Sequence, residues 1–486
     1  MQTVFGARLG RHASDNHDLL AMTLPGRDIT YAELLGRVQS YATWLIQEGC
    51  GPNEVVGITI AGEIPHIVTS LALLAIGVPQ ICLPSYDPAP KRLLLAKRLG
   101  VTRVIVNDLR YALPGRTALL LPQHVSAVSA VIEALAEEPD APAVYYTSSG
   151  TTGEPKIFAL SQQALAWRAE RIIESERRGD EYRALTPVSV EDPFSKNRRL
   201  MCAFVGVTSV FQGDRSSPEL SLPELCKVMG VTCLELGILQ VSSLVNDPSD
   251  EGPFPARTTV YTAGAVVSAK LGSRFEARFG VPLFVHYGAR EFGRITSTSP
   301  ADNDRDLDTV GKPVPWVDLE IVDEEGLGVP RGEVGEIRVR SEHMTPGYYR
   351  DPVATALHFR NGWFYPQDMG SLTPTGALRL HGRADDVMNL NGIKIFPAEI
   401  ERVLEEHPAV RAAAAFAKRS AAHGDIPVAA VELHASASVE AEELMARARG
   451  LLGVRSPRKI VIVDALPRNA AGKVLKRRLA ELLPRP

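Results

Sequence analysis

A run of hydroxyl-bearing residues and glycines in the first third of the chain could bind phosphate groups. It reads Thr147-Ser148-Ser149-Gly150-Thr151-Thr152-Gly153, and Lys156 follows shortly after it. Such a run offers backbone N–H and side-chain O–H groups together, and the lysine adds a positive charge. It is not a Walker A loop, because Pro155 stands where that motif has a glycine before its lysine. The alternative is a solvated loop without a ligand.

Further segments downstream carry charged, aromatic and glycine residues in short motifs. They are His286-Tyr287-Gly288-Ala289-Arg290-Glu291, Gly362-Trp363-Phe364-Tyr365-Pro366-Gln367-Asp368, Gly382-Arg383-Ala384-Asp385-Asp386 with its continuation to Glu401, and Pro467-Arg468-Asn469-Ala470-Ala471-Gly472-Lys473. A small-residue turn, Ala263-Gly264-Ala265, lies upstream of them, and its glycine would allow a ligand to approach the backbone closely.

The phosphate-binding run and these four segments, in this order, resemble the motifs of the adenylate-forming superfamily. That superfamily includes acyl-CoA synthetases, stand-alone adenylation domains and luciferase-like enzymes, and the resemblance covers nearly the whole chain. It implies an enzyme, an AMP-forming acid–thiol ligase, with ATP and Mg²⁺ as its cofactors. Such an enzyme activates a carboxylic acid as acyl-AMP, releases pyrophosphate, and transfers the acyl group to a thiol.

The resemblance also implies roles for individual residues. Lys473, Lys156 and Glu291 would be catalytic, and Glu291 and Thr151 would hold Mg²⁺ through oxygen atoms. Asp385 would be the hinge between two domain orientations, and Gly392 would lie on the thiol tunnel. The nucleotide-binding residues would be Thr147, Ser148, Ser149, Gly150, Thr151, Thr152, Gly153, Gly264, Ala265, Tyr287, Gly288, Arg290, Asp368 and Arg383.

Some positions depart from the superfamily pattern. Arg290 replaces a threonine that usually contacts the α-phosphate. The arginine could take over that contact, reach into the substrate pocket, or point away. Pro366 and Gln367 are atypical before Asp368, which leaves the shape of that loop open, and Asn469 replaces another threonine.

The carboxylate pocket is expected to be lined by 189–200, 234–240 and 263–265 together with Gly288. The first of these stretches is unusually charged, and an acid there could hold an α-ammonium group. We therefore hypothesise a small polar or amino-bearing carboxylate, with surface ion pairs as the alternative interpretation of the charges. The candidate pocket residues are Glu191, Asp192, Lys196, Glu235, Gly237, Ala263 and Gly288.

The thiol acceptor is expected to act in trans, because no carrier-domain motif follows Lys473. Coenzyme A and a phosphopantetheinylated carrier protein both remain open. One alternative is an acyl- or aryl-CoA ligase of a non-amino carboxylate. An alternative of another class is a non-catalytic, nucleotide-binding regulator that retains the fold.

The elements that must position these residues alternate between strands and helices in 29–150, which favours a parallel α/β sheet. Thr30 and Glu33 form a capping-box pattern at the start of a helix. With the resemblance, we predict an α/β protein. A large domain, 1–383, would contain two doubly wound α/β subdomains and a small antiparallel β-barrel. A mobile α+β domain, 384–486, would carry Lys473.

Composition narrows the functional classes further. The 486 residues are 45% apolar and 23% charged, and the net charge of −4 does not favour a nucleic-acid partner. Five scattered cysteines fit a reducing compartment. Neither a signal peptide nor a membrane-spanning segment is visible, so we expect a cytoplasmic protein without membrane insertion.

Overall fold

The structure is a computed structural model that describes most of the chain. The described residues are 3–122, 134–135, 138–148, 155–177, 179, 181–213, 220–247, 249, 251–264, 267–298, 308–420, 424–435, 437–468 and 474–479. The helices are α1 Val4–Asp15, α2 Tyr31–Gln47, α3 Glu63–Ile76, α4 Ala89–Arg98, α5 Gln162–Glu176, α6 Pro193–Val205, α7 Leu222–Val228, α8 Ile238–Asn246, α9 Ala269–Phe279, α10 Pro352–His358, α11 Pro397–Glu405, α12 Ala441–Leu452 and α13 Lys476–Leu479.

The strands number twenty-six within the described ranges. They are β1 Leu20–Leu24, β2 Arg27–Thr30, β3 Val56–Thr59, β4 Gln80–Cys82, β5 Arg103–Val106, β6 Thr117–Leu120, β7 Pro142–Thr147, β8 Ile157–Ser161, β9 Arg183–Leu185, β10 Thr208–Val210, β11 Cys233–Gly237, β12 Thr259–Ala263, β13 Leu283–Ala289, β14 Gly293–Ser297, β15 Lys312–Pro313, β16 Asp318–Val322, β17 Gly335–Arg340, β18 Phe359–Arg360, β19 Trp363–Phe364, β20 Asp368–Leu372, β21 Leu378–Arg383, β22 Met388–Leu390, β23 Ile393–Ile395, β24 Val410–Ser420, β25 Gly424–Leu433 and β26 Lys459–Val463.

Two large sheets form the first part of the molecule. One has the order β6-β5-β3-β4-β7-β8 and is parallel except for the final β7–β8 pair. The other has nine strands in the order β15-β14-β13-β12-β11-β9-β10-β1-β2, and its central strands β13 to β1 are parallel. The predicted parallel α/β architecture is confirmed. The capping box of Thr30 and Glu33 also forms at the start of α2.

Two smaller sheets follow. Strands β16 to β21 pair antiparallel with one another, in the region where a small antiparallel barrel was predicted. Strands β22 to β26 form a mixed sheet against which α11 and α12 pack, which gives the expected α+β character. All five of these strands lie after residue 387, and the boundary at 383/384 stays a prediction.

Strand β8 follows the predicted phosphate loop and pairs antiparallel with β7, and helix α5 begins after β8. Helix α6 ends at Val205, and β10 begins at Thr208. Asp192 caps the start of α6, Pro193 occupies its first turn, and Gly206 ends it with a left-handed φ of 90°.

Within the described ranges, every helix is too short or too polar to traverse a lipid bilayer.

Candidate active site

The proposed phosphate loop connects the two strands of a hairpin. Thr147 is the last residue of β7 and pairs with Ile157 of β8, and the Ser148 N–H donates to the Lys156 carbonyl at 2.8 Å. The Ser148 Oγ is buried and has no hydrogen-bond partner among the described residues, as expected for a hydroxyl that a bound anion would satisfy. Residues 149–153, Ala265 and Lys473 lie outside the described residues.

Lys156 extends from this hairpin to a histidine far along the chain. Its Nζ lies 2.5 Å from His358 Nε2 and 5.2 Å from the centre of the Tyr348 ring. Burial lowers the pKa of Lys156, and the nearby charge of Glu291 partly opposes this effect. The ammonium therefore faces an imidazole and an aromatic ring.

Glu291 is fixed through both its side chain and its backbone. Its Oε1 accepts a hydrogen bond from the Tyr348 hydroxyl at 2.9 Å, and its carbonyl accepts one from Arg168 at 2.7 Å. Burial lowers the pKa of Arg168 to about 10, and a guanidinium with that pKa keeps its charge at pH 7. Tyr348 therefore stands between the lysine and the carboxylate that were both predicted to be catalytic.

Tyr287, Asp368 and Arg383 lie together, as a ribose and phosphate site would require. The Tyr287 hydroxyl donates to Asp368 Oδ2 at 2.6 Å, and Arg383 Nη1 lies 3.5 Å from Asp368 Oδ1. Asp368 and Arg383 meet because they are paired across β20 and β21. The Arg383 guanidinium also donates to the Pro366 carbonyl at 2.7 Å and to Asp385 Oδ1 at 3.2 Å.

The atypical loop before Asp368 has a left-handed residue at Gln367. Its φ is +62°, a conformation that favours glycine. The Gln367 carbonyl accepts from the Ala384 N–H at 2.9 Å, and its side chain accepts from Arg383 at 3.2 Å. These two hydrogen bonds stabilise a positive φ that a residue other than glycine does not favour.

The carboxyl ends of three parallel strands meet beside this group. Gly237, Ala263 and His286 are aligned across β11, β12 and β13. Gly288 follows on β13, and a Cβ there would lie 2.2 Å from the Gly293 carbonyl oxygen. Gly264 has a φ of +96°. The structure thus brings the predicted glycine and alanine positions to one edge of the sheet, which is where open α/β sheets bind ligands.

Arg290 connects the phosphate loop to helix α6. Its guanidinium donates to the Thr147 carbonyl at 3.3 Å and lies 3.4 Å from Asp192 Oδ2. Asp192 Oδ1 accepts from the Phe194 N–H at 2.8 Å as the helix cap. Of the three orientations left open for Arg290, the structure shows one that spans the phosphate loop and the predicted pocket wall.

The other charged pocket candidates already have partners. Glu191 accepts from the Ser85 N–H at 2.8 Å and from the Ser85 hydroxyl at 2.6 Å. Lys196 is buried and donates to Gln80 Oε1 at 2.9 Å, and burial lowers its pKa to about 8. The assignment of these residues to the carboxylate pocket remains a prediction.

Glu235 belongs to a buried cluster of charged side chains next to His286 of β13. Arg198 bridges Glu235 and Glu176, lying 2.7 Å from a Glu176 oxygen, and Arg294 contacts Glu176. Burial alone would raise the pKa of Glu176, but the charges of Arg198 and Arg294 hold it well below its usual value. Burial lowers the pKa of His286 beside them to about 3.

Glu176, Glu235 and His286 lie close enough together to suggest a metal site. Arg198 and Arg294 contact the same carboxylates, so a cation would have to displace or approach two guanidinium groups. Their balanced charges point to a structural ion-pair network rather than a metal centre.

The predicted hinge and thiol-tunnel residues lie at the second part of the molecule. Asp385 pairs with Arg383. Gly392 is exposed and follows Asn391 in a two-residue hairpin, where both residues have positive φ values of 86° and 52°. That is the geometry Asn-Gly favours. The hairpin residue Lys394 lies 2.7 Å from Glu324 in the β16–β17 turn.

Three residues in the site were not identified from the sequence. His358, Tyr348 and Arg168 contact Lys156 or Glu291, and each is distant from its partner along the chain. Tyr348 and His358 flank the Gly362–Asp368 motif on its N-terminal side, which is the only sequence signal that could have indicated them.

Family models match both parts of the chain. The model described as AMP-binding enzyme covers residues 9–349, and the model for the AMP-binding enzyme C-terminal domain covers residues 399–473.

Individual relatives are similar over nearly their whole length. Indoleacetate–CoA ligase from Aromatoleum aromaticum is 27% identical over 98% of each chain. The amide bond synthetase McbA from Marinactinospora thermotolerans superposes with a TM-score of 0.86 at 26% identity, covering 98% of this chain and 99% of that one. O-succinylbenzoate coenzyme A synthetase from Bacillus subtilis, solved with ATP and magnesium, shares the fold with a TM-score of 0.86 at 23% identity, covering 97% and 99%.

Proposed function

The chain belongs to the AMP-binding enzyme family and is an adenylate-forming acid–thiol ligase. On this basis we propose a role for each site residue and identify the thiol that accepts the acyl group. The observation that carries the proposal is that Tyr287, Asp368 and Arg383 form one hydrogen-bonded group, while Lys156 and Glu291 share Tyr348 as a neighbour. The first group suits a ribose, and the second suits phosphates.

The residues present fit a magnesium nucleotide. Glu291 would hold Mg²⁺ through carboxylate oxygen, and the ion would neutralise phosphate charge when bound. Asp368 would accept from the ribose hydroxyls, while Lys156 and the Ser148 hydroxyl would face phosphate oxygens. Lys473, Thr151 and the remaining loop residues keep the roles that the motifs predict for them.

The reaction needs no nucleophile from the protein. A carboxylate oxygen of the substrate attacks the α-phosphorus of ATP, the bond to the β-phosphate oxygen breaks, and pyrophosphate leaves. A thiolate then attacks the acyl carbon and AMP leaves. Positioning and charge neutralisation by Lys156, Glu291 and Lys473 would supply the rate enhancement.

For the carboxylate, we propose a small polar or amino-bearing acid whose ammonium group Asp192 would recognise. Glu191 and Glu235 are buried and bound by Ser85 and by Arg198, whereas Asp192 is half-buried beside Arg290, which contacts Thr147 of the phosphate loop. A second candidate, a non-amino carboxylate, is favoured by the Arg290–Asp192 contact, because an acid already paired with a guanidinium is a weaker site for an amine.

We propose coenzyme A as the thiol acceptor, and a phosphopantetheinylated carrier protein is the alternative. The similarity to indoleacetate–CoA ligase over the whole chain supports coenzyme A. The third alternative, a non-catalytic regulator, is set aside because the chain belongs to a family of enzymes and keeps Lys156, Glu291, Asp368 and Arg383.

The test is carboxylate-dependent release of pyrophosphate from Mg-ATP, with hydroxylamine as the trap for the acyl group. Pools of amino acids, aryl acids and aliphatic acids are compared, with Lys473→Ala as the blank. Pyrophosphate release with the amino-acid pool supports an amino-bearing substrate if Asp192→Asn abolishes that release. Release only with aryl or aliphatic acids supports the second candidate, and no release in any pool contradicts the proposal.

The acceptor is tested with the acid found in that assay. Thioester formation is measured with coenzyme A and with a phosphopantetheinylated carrier protein in separate reactions. We expect product with coenzyme A. Product with the carrier alone would contradict the assignment of the acceptor and leave the adenylation step intact.

A further inference from the structure

Lys156 is half-buried, and its ammonium has an unusual hydrogen-bond partner. His358 Nε2 lies 2.5 Å from Nζ, and among the described residues this ammonium forms no ion pair with a carboxylate. Lysines in protein interiors are usually paired with an acid. Here the lysine is instead held by a neutral ring nitrogen.

The hydrogen bonds of His358 define which nitrogen carries its proton. Nδ1 lies 2.9 Å from the Tyr365 carbonyl, which can only accept, so Nδ1 is the donor. Nε2 is then the acceptor for the ammonium, which can only donate. Burial lowers the pKa of His358 to about 4, and the charges of Lys156 and Arg383 act in the same direction. The imidazole is therefore neutral at pH 7.

The ring of His358 is held in place by its surroundings. It is buried at the end of α10, with Tyr348 at 5.4 Å in an edge-on contact and Phe364 stacked at 6.2 Å between ring centres. Tyr348 in turn donates to Glu291. His358 thus has little freedom, and a lysine bound to it is restrained beside the carboxylate that would hold Mg²⁺.

A neutral hydrogen-bond acceptor and a carboxylate differ in how much of the lysine's positive charge they leave for a phosphate. A carboxylate would orient Lys156 but would also cancel most of its charge for an approaching anion. An imidazole accepts one of the three ammonium hydrogens and leaves the net charge and two donors for phosphate oxygens.

We propose that His358 is a positioning residue that holds the Lys156 ammonium ready for the phosphates of ATP without neutralising it. The inference rests on the proposed function, in which Lys156 contacts the phosphates. It assigns His358 no direct contact with the substrate. Its effect on the reaction passes through Lys156.

The test is a double-mutant cycle on pyrophosphate release, with kcat and KM measured for ATP. His358→Phe keeps a ring between Tyr348 and Phe364 but removes the acceptor. We expect it to lower kcat/KM for ATP about 10-fold and to leave the KM for the carboxylate within about twofold. In a Lys156→Ala background, the same change should alter kcat/KM less than about twofold.

His358→Gln is the matched variant, because its amide oxygen can accept from Lys156 where the ring nitrogen does. It should recover more than half of the loss in kcat/KM, and it also serves if the phenylalanine variant does not fold. Equal losses from His358→Phe in both backgrounds, or no recovery by glutamine, would overturn the inference. Inactive wild-type protein with every carboxylate would instead overturn the proposed function.

Discussion

Two departures from the superfamily motifs act at the level of single residues. Arg290 replaces a threonine and reaches both the Thr147 carbonyl and Asp192, so one side chain joins the phosphate loop to the start of α6. Gln367 adopts a φ of +62° immediately before Asp368, and so retains a turn that normally favours glycine.

We therefore expect Gln367 to tolerate glycine and to reject a β-branched residue. Gln367→Val should lower the free energy of unfolding by about 1–3 kcal/mol, because valine is strongly disfavoured at positive φ. It should also raise the KM for ATP, since Asp368 is the next residue. Urea unfolding and ATP kinetics measure both effects, with Gln367→Gly as the control. Equal behaviour of valine and glycine would show that the turn is not constrained.

At the scale of elements, α11 packs against β24 and places an acid in a poorly solvated position. Glu405, the last residue of α11, is half-buried and accepts from the Ala413 N–H at 3.1 Å. Burial raises its pKa from 4.5 to about 7, the Ala413 bond lowers it, and the nearby Glu401 raises it further. The helix and strand therefore favour the protonated form.

This arrangement predicts a loss of stability as the pH rises. In the unfolded chain Glu405 loses its proton near pH 4.5, whereas in the folded protein it keeps it to about pH 7. Its stabilising contribution is complete below pH 4.5 and is lost as the pH rises through 7. Glu405→Gln should raise the free energy of unfolding at pH 8 by about 1–2 kcal/mol relative to wild type, allowing for partial solvent exposure.

The measurement is urea unfolding followed by circular dichroism at pH 5 and pH 8. Glu406→Gln is the matched control, because Glu406 is exposed and pairs with Arg447 at 2.9 Å. A gain at pH 8 that is the same for both variants would show that Glu405 is not the group responsible.

At the level of the whole molecule, polar contacts and one ring contact, between Phe396 and His381, join the last part of the chain to the rest. Lys394 lies 2.7 Å from Glu324, and Lys270 donates to the His407 carbonyl at 3.2 Å. Both side chains of the Lys394–Glu324 pair are more than half exposed, at 58% and 81%, so the pair contributes at most about 1 kcal/mol. An exposed pair such as Lys394–Glu324 can be broken at low cost, which suits the predicted movement of 384–486.

That movement is predicted to bring Lys473 to the α-phosphate for adenylation only. Removal of the Lys473 side chain should therefore affect adenylation and thioester formation differently. Lys473→Ala should slow adenylation about 10²–10³-fold, as does removal of one transition-state donor in other enzymes. Thioester formation from supplied acyl-adenylate should fall far less. Lys476→Ala is the control, because Lys476 lies 2.8 Å from Glu401 within the same part of the chain. Equal damage to both half-reactions would contradict the two-orientation interpretation.

Features whose physical cause lies within a few residues could be predicted from the sequence alone. The Thr30–Glu33 capping box is of this kind, because backbone preference and short-range hydrogen bonding specify it. The nucleotide-binding residues were predicted instead from the resemblance of their motifs to those of the adenylate-forming superfamily. The alternation of strands and helices predicted the parallel sheets, because a helix between two strands allows them to run parallel.

The partner of each charged side chain was decided only by the tertiary structure. Glu191 pairs with Ser85, Glu235 with Arg198, and Lys156 with His358, across 106, 37 and 202 positions of the chain. A charge in a sequence shows that a partner is needed, but sheet order and register determine which side chain lies within reach. The sequence motifs predicted the nucleotide-binding residues through their resemblance to the superfamily, without reference to these distant partners. The fold determined which partner each acid near the predicted pocket contacts, and Asp192 lies against Arg290.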